Sequence, residues 1–597
     1  MQSIYDKLYY DSKNGNNFYK LIEIIGSEQN IRLAYRNIKT NKGSKTSGTD
    51  GLTIKDICHI NDKTLINKIR NKLSNYKPQS VRRVEIPKEG SNKTRPLGIP
   101  TIWDRILQQC ILQVLEPICE PKFHNHSYGF RPNRSTHHAV SRVVSLVNIG
   151  KHHYCVDIDI KGFFDNVNHG KLLKQMWNLG IRDKRLISII GKILKSEIEG
   201  EGVPTKGTPQ GGIISPLLSN IVLNELDWWV SNQWETIKLN NKERKINGFH
   251  QYARKYTTLK DGFIVRYADD FKIMCRTYQE AKRYYYAVVD FLKVRLGLDI
   301  SPEKSKVINL KRNSSNFLGF KIKAIPKGKT KYGYIAKTEM NEKALKRTKC
   351  NLKNKVKDIQ KSITSQNVIK YNLMVLGIQN YYKIATNIYN NLTEVNYTLM
   401  KSTRIRLRNC SKTIRFEETS ANFKRLVKGI KKDSKIVSIL NIPMLPLTEV
   451  HHCNPKNFSQ DICNYTADGR KKIHENLKAI PKDVLNQVRN RCSITRSIEY
   501  NDNRLSRYIA QYGKCYITNE LIGIDRVHCH HIIPLKFGGT DNYSNLTILN
   551  ADIHKLLHMT NKQKIKKCLK YINLSKEQLK KLNDLRSKAG VKEILLT

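Results

Sequence analysis

Between Tyr154 and Ile160 the chain alternates, with Tyr154, Val156, Ile158 and Ile160 interleaving Cys155, Asp157 and Asp159. That period of two predicts a half-buried strand with its acids on one face, so that Asp159 points away from the core. Further along, the apolar run Phe263-Ile264-Val265 precedes Asp269-Asp270, and Phe271, Ile273, Met274 and Cys275 follow. This predicts two short strands joined at a tight turn that carries both aspartates. From about 335 to 430 the pattern becomes helical: Leu345, Leu352, Val356 and Ile359 share a face, and Lys346, Lys353 and Lys357 share the strip beside it. A second helix is expected at about 369–382. Turn residues between Asn41 and Gly51 predict a loop, and Ile442-Pro443 with Leu445-Pro446-Leu447 predict a linker or domain edge. Near the end, a two-strand hairpin is expected ahead of His554 and His558, which fall at i and i+4 on one helix face.

Charge narrows the partners. Lys and Arg number 106 against 51 Asp and Glu, a formal net charge of +55 over 597 residues. Such a chain repels itself strongly without a polyanion, which points to nucleic acid bound with a steep salt dependence. The length suits several domains, each with its own core. The 13 cysteines are odd in number and scattered, which fits a reducing compartment better than a disulfide framework. Residues Met1 to Lys7 hold no apolar signal core, and no uncharged stretch is long enough to cross a bilayer. A cytoplasmic protein is expected, bacterial or organellar, with no membrane partner.

The acids carry the chemistry. Adjacent Asp269 and Asp270 repel each other and lose hydration between apolar strands, so divalent cations would relieve them, and hard oxygen ligands favour Mg²⁺. A solvated Asp-Asp turn is the plainer alternative. With Asp159 as a third carboxylate, the set is what two-metal phosphoryl transfer needs: one ion activates a 3′-hydroxyl and the other holds triphosphate oxygens. Together the two stretches resemble motifs A and C of a polymerase palm, in the Tyr-Ala-Asp-Asp form of reverse transcriptases. Pro87-Lys88, Arg95-Pro96-Leu97-Gly98-Ile99-Pro100, Tyr128-Gly129-Phe130-Arg131-Pro132, Gly207-Thr208-Pro209-Gln210-Gly211-Gly212 and Phe317-Leu318-Gly319-Phe320 then resemble, in order, the blocks of a group II intron-encoded reverse transcriptase and maturase.

The resemblance implies a right-hand polymerase using dNTPs, in which Lys88 and Arg95 close on the triphosphate, Phe164 lies against the sugar, Gln210 nears a base or template strand, and Lys304 serves the leaving pyrophosphate. Read from the residues alone, Lys88 and Arg95 also suit a solvated basic hairpin, Phe164 core packing, Gln210 a turn and Lys304 an exposed loop. The basic helices beyond 335 would equally suit a membrane or partner protein, and their position after a palm makes them a thumb, the domain X that grips intron RNA. The stretch to about 512 is polar and basic, with Arg489, Arg491, Arg496, Arg504 and Arg507, where the family binds target DNA.

A second constellation follows: His528-Cys529-His530-His531, then Gly538-Gly539, Asn545-Leu546, His554 and His558. It resembles an HNH nuclease with a ββα-metal site. By that match His531 is the general base, His530, His554 and His558 hold a divalent metal whose identity stays open, and Asn545 fixes the hairpin that orients the base. Many such domains carry two cysteine pairs on a structural zinc. Here only Cys515 remains, with Thr518, Asn550 and Ile553 at the other positions, so a larger apolar core or neighbouring support is needed.

The expected architecture is thus α+β and multidomain: fingers and palm over 1–330, thumb over 331–440, a DNA-binding segment over 441–512 and an HNH endonuclease over 513–597. The implied function is an RNA-directed DNA polymerase and maturase that binds its parent intron RNA, assists splicing, cuts target DNA and reverse transcribes the inserted intron as a ribonucleoprotein. A retron or diversity-generating reverse transcriptase, and a splicing factor with decayed enzymes, are the rivals. The thumb and nuclease oppose the first, and intact Asp159, Asp269, Asp270 and His531 oppose the second. The oligomeric state stays open.

Overall fold

The computed structural model describes residues 1–87, 94–236, 260–328, 333–427, 430–473 and 496–594, with 253, 484–485 and 487–488 between them. Helices α1 (Gln2–Lys13) and α2 (Glu28–Thr40) pack on α3 (Ile102–Cys119). Helix α2 is amphipathic and buries Ile31, Ala34, Tyr35 and Ile38. Helix α3 is buried nearly all round, its polar Asp104, Arg105, Gln108 and Gln109 included, and sits inside the core. Ahead of it β1 (Arg82–Pro87) and β2 (Thr94–Ile99) form an antiparallel hairpin. Helix α4 (Thr136–Asn148) starts at a reciprocal cap between Ser135 and His138.

The central sheet is antiparallel in the order β4–β5–β3–β6, from β3 (Tyr154–Ile158), β4 (Gly262–Tyr267), β5 (Asp270–Cys275) and β6 (Lys306–Asn309). On one face Val156, Ile158, Ile264 and Ile273 join a core shared with α3, α5 (Ser215–Ser231) and α6 (Tyr278–Asp290). On the other, Cys155, Val265 and Met274 meet Val140 and Val143 of α4 and the rings of Phe317 and Phe320. Both faces are covered, so β3 is more buried than the half-buried strand expected, while Asp159 at its end stays exposed, away from the core. Asp157 tolerates the covered face because it pairs with Lys272, fully buried on the adjacent strand, at 2.9 Å.

The helical expectation for 335–430 also needs correction at both ends. Strands β7 (Ser315–Phe317), β8 (Phe320–Pro326) and β9 (Tyr334–Met340) form a sheet, so 335–340 is extended, with Ala336, Thr338 and Met340 buried at alternate positions. Helices α7 (Glu342–Lys361), α8 (Ser365–Tyr382) and α9 (Ile388–Arg406) follow. Helix α7 buries Leu352, Val356 and Ile359 and exposes Lys346 and Lys357. The chain then forms the sheet β10 (Lys412–Arg415), β11 (Lys435–Ile439) and β12 (Ile442–Pro443). The expected divisions at 330 and 440 therefore fall inside sheets, between β8 and β9 and between β11 and β12.

From Met444 to Ile473 the chain runs back over the polymerase as a strap. Cys453 N–H donates to the Lys383 carbonyl (2.8 Å), Ser141 Oγ donates to Asn457 Oδ1 (2.9 Å), and Arg470 clamps Asp6 of α1 with contacts of 2.6 and 2.7 Å. Arg489 and Arg491 lie outside the described residues. Helix α10 (Ile498–Ala510) buries Ile498 in the polymerase core and Leu505 and Tyr508 in a C-terminal core. That core holds the hairpin β13 (Val527–His531) and β14 (Leu546–Asn550), then α11 (Ala551–His558), α12 (Lys562–Tyr571) and α13 (Lys576–Lys588). Cys515, Ile517, Ile522 and Ile553 are buried together there, so apolar packing fills the region where a Cys₄ site would need thiolates. The expected division at 512 separates α10 from the hairpin it packs on.

Candidate active sites

The palm site forms where strand ends meet. In the hairpin β4–β5 Tyr267 pairs with Asp270, leaving Ala268 and Asp269 as the two-residue turn, with Ala268 at φ 59°. Strand β3 pairs Ile158 with Phe271, and the same register carried one residue further sets Asp159 across from Asp270. The turn is pinned from behind by Arg266, whose side chain is 1% exposed. Its guanidinium donates to Asp227 (2.6 Å), to Asn220 Oδ1 (2.9 Å) and to the Ala268 carbonyl (2.9 Å). Gly129 presses on the same turn, since a Cβ there would stand 2.2 Å from the Ala268 nitrogen, which gives the Tyr-Gly-Phe-Arg-Pro block its physical reason.

Burial raises Asp270 to about 6 despite the Lys272 ammonium, and Asp157, Asp269 and Asp159 push in the same direction. Asp269, exposed at the tip of the turn, is raised by partial loss of hydration and by Asp159, while Arg95 and Arg266 pull it down. Hard-oxygen donors set at neighbouring strand ends suit divalent cations, which would offset the mutual repulsion. Lys304 forms an ion pair with Asp159 at 3.0 Å, so its ammonium stands at the acids themselves. Arg95 is exposed on β2, and Lys88 lies outside the described residues.

Phe164 is half-buried, edge-on to the buried Phe163 at 5.4 Å. Its carbonyl accepts from Thr208 N–H (2.7 Å), which binds the 207–212 loop to this turn and brings Gln210 Nε2 to 3.4 Å from Asp165. The loop is held on the other side by β2: Gly98 N–H donates to the Gln210 carbonyl (2.6 Å), and Gly211, at φ +112°, lies where a Cβ would stand 2.4 Å from the Gly98 oxygen. Sequence reasoning missed Arg266, Asp227, Asn220 and the Asp157–Lys272 pair. The available signal was a charged residue, Arg266 or Lys272, set between apolar neighbours in each strand of the β4–β5 hairpin.

The second site lies on the C-terminal hairpin and α11. His530, His554 and His558 bring ligand nitrogens within 4.8 Å of one another. Burial and the facing imidazoles push His530 down to about 3 and His554 to about 4, and burial lowers His558 as well. Neutral imidazole is the form that ligates metal, and among the described residues His530 Nε2 is buried without a hydrogen-bond partner, so the trio fits a cation. His531, next on the strand, bonds through Nε2 to Asp541 at 2.7 Å, which lowers the Asp541 carboxyl. Asn545 donates to the Ile533 and Thr540 carbonyls (2.9 and 2.8 Å) and accepts from Ile533 N–H (2.8 Å), closing the loop between the strands. Asp541 was also missed, because nothing in its spacing from His531 marks a pair. Of the arginines expected to face DNA, Arg504 donates to the Val488 carbonyl (2.6 Å) and Arg507 to the Tyr543 carbonyl (2.8 Å), so both serve internal contacts.

Residues 86–322 match the family model described as reverse transcriptase (RNA-dependent DNA polymerase). The chain is 30% identical over 446 residues to the group II intron-encoded protein LtrA of Lactococcus lactis, an alignment covering 64% of this chain and 72% of that one. It is 32% identical over 319 residues to protein YkfC of Escherichia coli, covering 51% and 82%, and 27% identical over 602 residues to a putative COX1/OXI3 intron 1 protein of Saccharomyces cerevisiae, covering 89% and 67%. Among the described residues no helix is long and apolar enough to cross a membrane. With its acidic strand ends and the β4–β5 hairpin inside the matched span, the chain belongs to the group II intron-encoded reverse transcriptases and maturases.

Proposed function

We propose that the protein copies RNA into DNA at the palm, grips its parent intron RNA as a maturase, and cuts one strand of a DNA target with the C-terminal histidine site. The observation that carries the polymerase reading is the meeting of Asp159, Asp269 and Asp270 at the ends of paired strands. These carboxylates would hold Mg²⁺, which supplies the positive charge that two-metal phosphoryl transfer requires. Lys304 and Arg95 add cationic charge beside them, where an incoming triphosphate needs it. Phe164 would bar a 2′-hydroxyl and so favour dNTPs, and Gln210, on a loop clamped between β2 and the Phe164 turn, would meet the base or template strand.

The thumb supports RNA binding. Helix α7 exposes Lys346 and Lys357, and α9 exposes Tyr389, Tyr397 and Met400, a mixture of cationic and flat apolar groups suited to phosphates and bases. Target DNA falls to the segment over 441–512, through residues other than the internally engaged Arg504 and Arg507.

The HNH reading rests on the hairpin, the helix and three neutral imidazoles closing on one point. There His530, His554 and His558 would hold a divalent ion that stabilises charge on the scissile phosphate, and His531 would take the proton of the attacking water. Such a nuclease would supply the 3′-hydroxyl from which the palm primes. Sequencing the RNA that co-purifies with the protein tests the whole reading: a lariat intron containing this reading frame is expected, and a discrete RNA unrelated to an intron would overturn it.

A further inference from the structure

The His531 ring is held by more than the hairpin that carries it. Its Nε2 lies 2.7 Å from Asp541 Oδ1. A lowered, ionised carboxylate only accepts, so Nε2 carries the proton and Nδ1 is the nitrogen left to take one. The other oxygen of Asp541 accepts from Ser497 Oγ at 2.5 Å, and the Asp541 carbonyl accepts from Asn503 at 2.8 Å. Tyr500 stacks on the His531 ring, with centroids 5.4 Å apart and planes 18° apart, and its hydroxyl donates to the Cys529 carbonyl (3.1 Å). Ser497 is the N-cap of α10, and Tyr500 and Asn503 lie on that helix. The holder is therefore outside the histidine motif.

The same helix is fastened to the polymerase. Lys39 of α2 reaches Glu499 at 3.0 Å, Asp502 at 3.1 Å and Asn503 at 2.7 Å. Tyr35 donates to Glu499 at 3.0 Å, Arg36 approaches Asp502 at 3.5 Å, and Ile498 N–H donates to the Ile60 carbonyl at 3.3 Å. Asn503 joins both sides, since it accepts from Lys39 and donates to Asp541.

We propose that Asp541 is the positioning residue for His531 and that α10, docked on α2 of the polymerase, completes the holder, so that strand cleavage depends on this dock while cDNA synthesis does not. This rests on reading the C-terminal site as a nuclease, and the experiment separates the two claims. Full-length protein bound to its intron RNA is assayed for single-turnover cleavage of a target duplex in Mg²⁺ or Mn²⁺, and for extension from a supplied 3′-hydroxyl. Cleavage retained in His531→Ala overturns the nuclease reading itself. With that control inactive, Asp541→Ala is expected to slow cleavage by about 100-fold while KM for the duplex stays within about twofold, and Asp541→Asn, which keeps an acceptor oxygen, to recover most of the rate. Undiminished cleavage in Asp541→Ala, or equal damage in both variants, overturns the positioning role.

For the dock, Lys39→Glu faces Glu499 and Asp502 with a third carboxylate. Cleavage should fall at least about tenfold with extension unchanged, and adding Asp502→Lys should restore it. Restoration by a change on α10 would not occur if Lys39 acted only by touching RNA. Cleavage unaffected by Lys39→Glu, or extension lost together with cleavage in that variant, overturns the dock.

Discussion

In the palm, three carboxylates gather at open strand ends, where lost hydration and mutual repulsion raise Asp269 and Asp270 and where Asp159 leans on the exposed Lys304. In the C-terminal hairpin, three imidazoles close to within 4.8 Å because burial keeps them neutral and neutral rings do not repel. The first site stores repulsion that an arriving cation relieves. In the second, His530 Nε2 is buried without a hydrogen-bond partner among the described residues. The palm should therefore respond to protons and Mg²⁺ together, whereas the histidine site should keep its shape without metal.

The largest effect expected of that difference is in the palm. Asp269→Ala or Asp159→Ala should lower primer extension by about 10³-fold or more, since a lost metal ligand costs several kcal/mol at about 1.4 kcal/mol per tenfold. Intron RNA binding and splicing assistance should persist, and extension near the wild-type rate in either variant would remove the palm assignment. Next, Arg266→Met leaves Asp227 buried and unpaired, so the protein should lose about 3–5 kcal/mol of stability, read from denaturant unfolding. A change under about 1 kcal/mol would show that the buried pair does not anchor the turn.

A smaller effect separates the sites by pH. The Asp270 carboxyl, raised from its unfolded value to about 6, binds its proton more tightly in the folded chain. That group contributes greatest relative stability at low pH and loses it as pH rises through about 6. Activity runs the other way: extension at limiting Mg²⁺ should fall below about pH 6 as protons displace the ion, and saturating Mg²⁺ should move the fall to lower pH. A fall that Mg²⁺ cannot move would contradict this. Chelation, by contrast, should stop strand cleavage and shift thermal melting by no more than a few degrees, because an apolar core with Cys515 and Ile553 holds the C-terminal segment. A large drop on chelation would reveal a structural metal. The smallest effect is at Phe164: Phe164→Ala should cut dNTP-over-rNTP discrimination in kcat/KM by about 10–100-fold with little loss of dNTP use. An unchanged ratio would make the ring a packing residue.

The two sites also differ in how far the sequence discloses them. The hairpin Phe263 to Cys275 and the histidines of α11 were legible, because their periodicity and their chemistry fall in one short stretch. Strand β9 is hard to tell from helix in the sequence, since its alternation begins only after a polar stretch and runs straight into α7. The covering of Asp157 on β3 is not legible because Lys272, which neutralises it, comes from another strand. Asp541, Ser497 and Tyr500 were invisible as partners of His531 for the same reason: their meaning is set by tertiary contact between a loop, a cap and a helix. The strap over 444–473 has prolines and polar residues in place of a period, and only its docking on α1, α4 and α8 explains it.

Two independent metal chemistries in one chain are tested by assaying both activities on the same ribonucleoprotein preparations. Asp269→Ala should abolish extension and leave target-strand cleavage intact, and His531→Ala should abolish cleavage and leave extension from a pre-nicked primer intact. Loss of both activities in either variant, or retention of cleavage in His531→Ala, would contradict this division of labour.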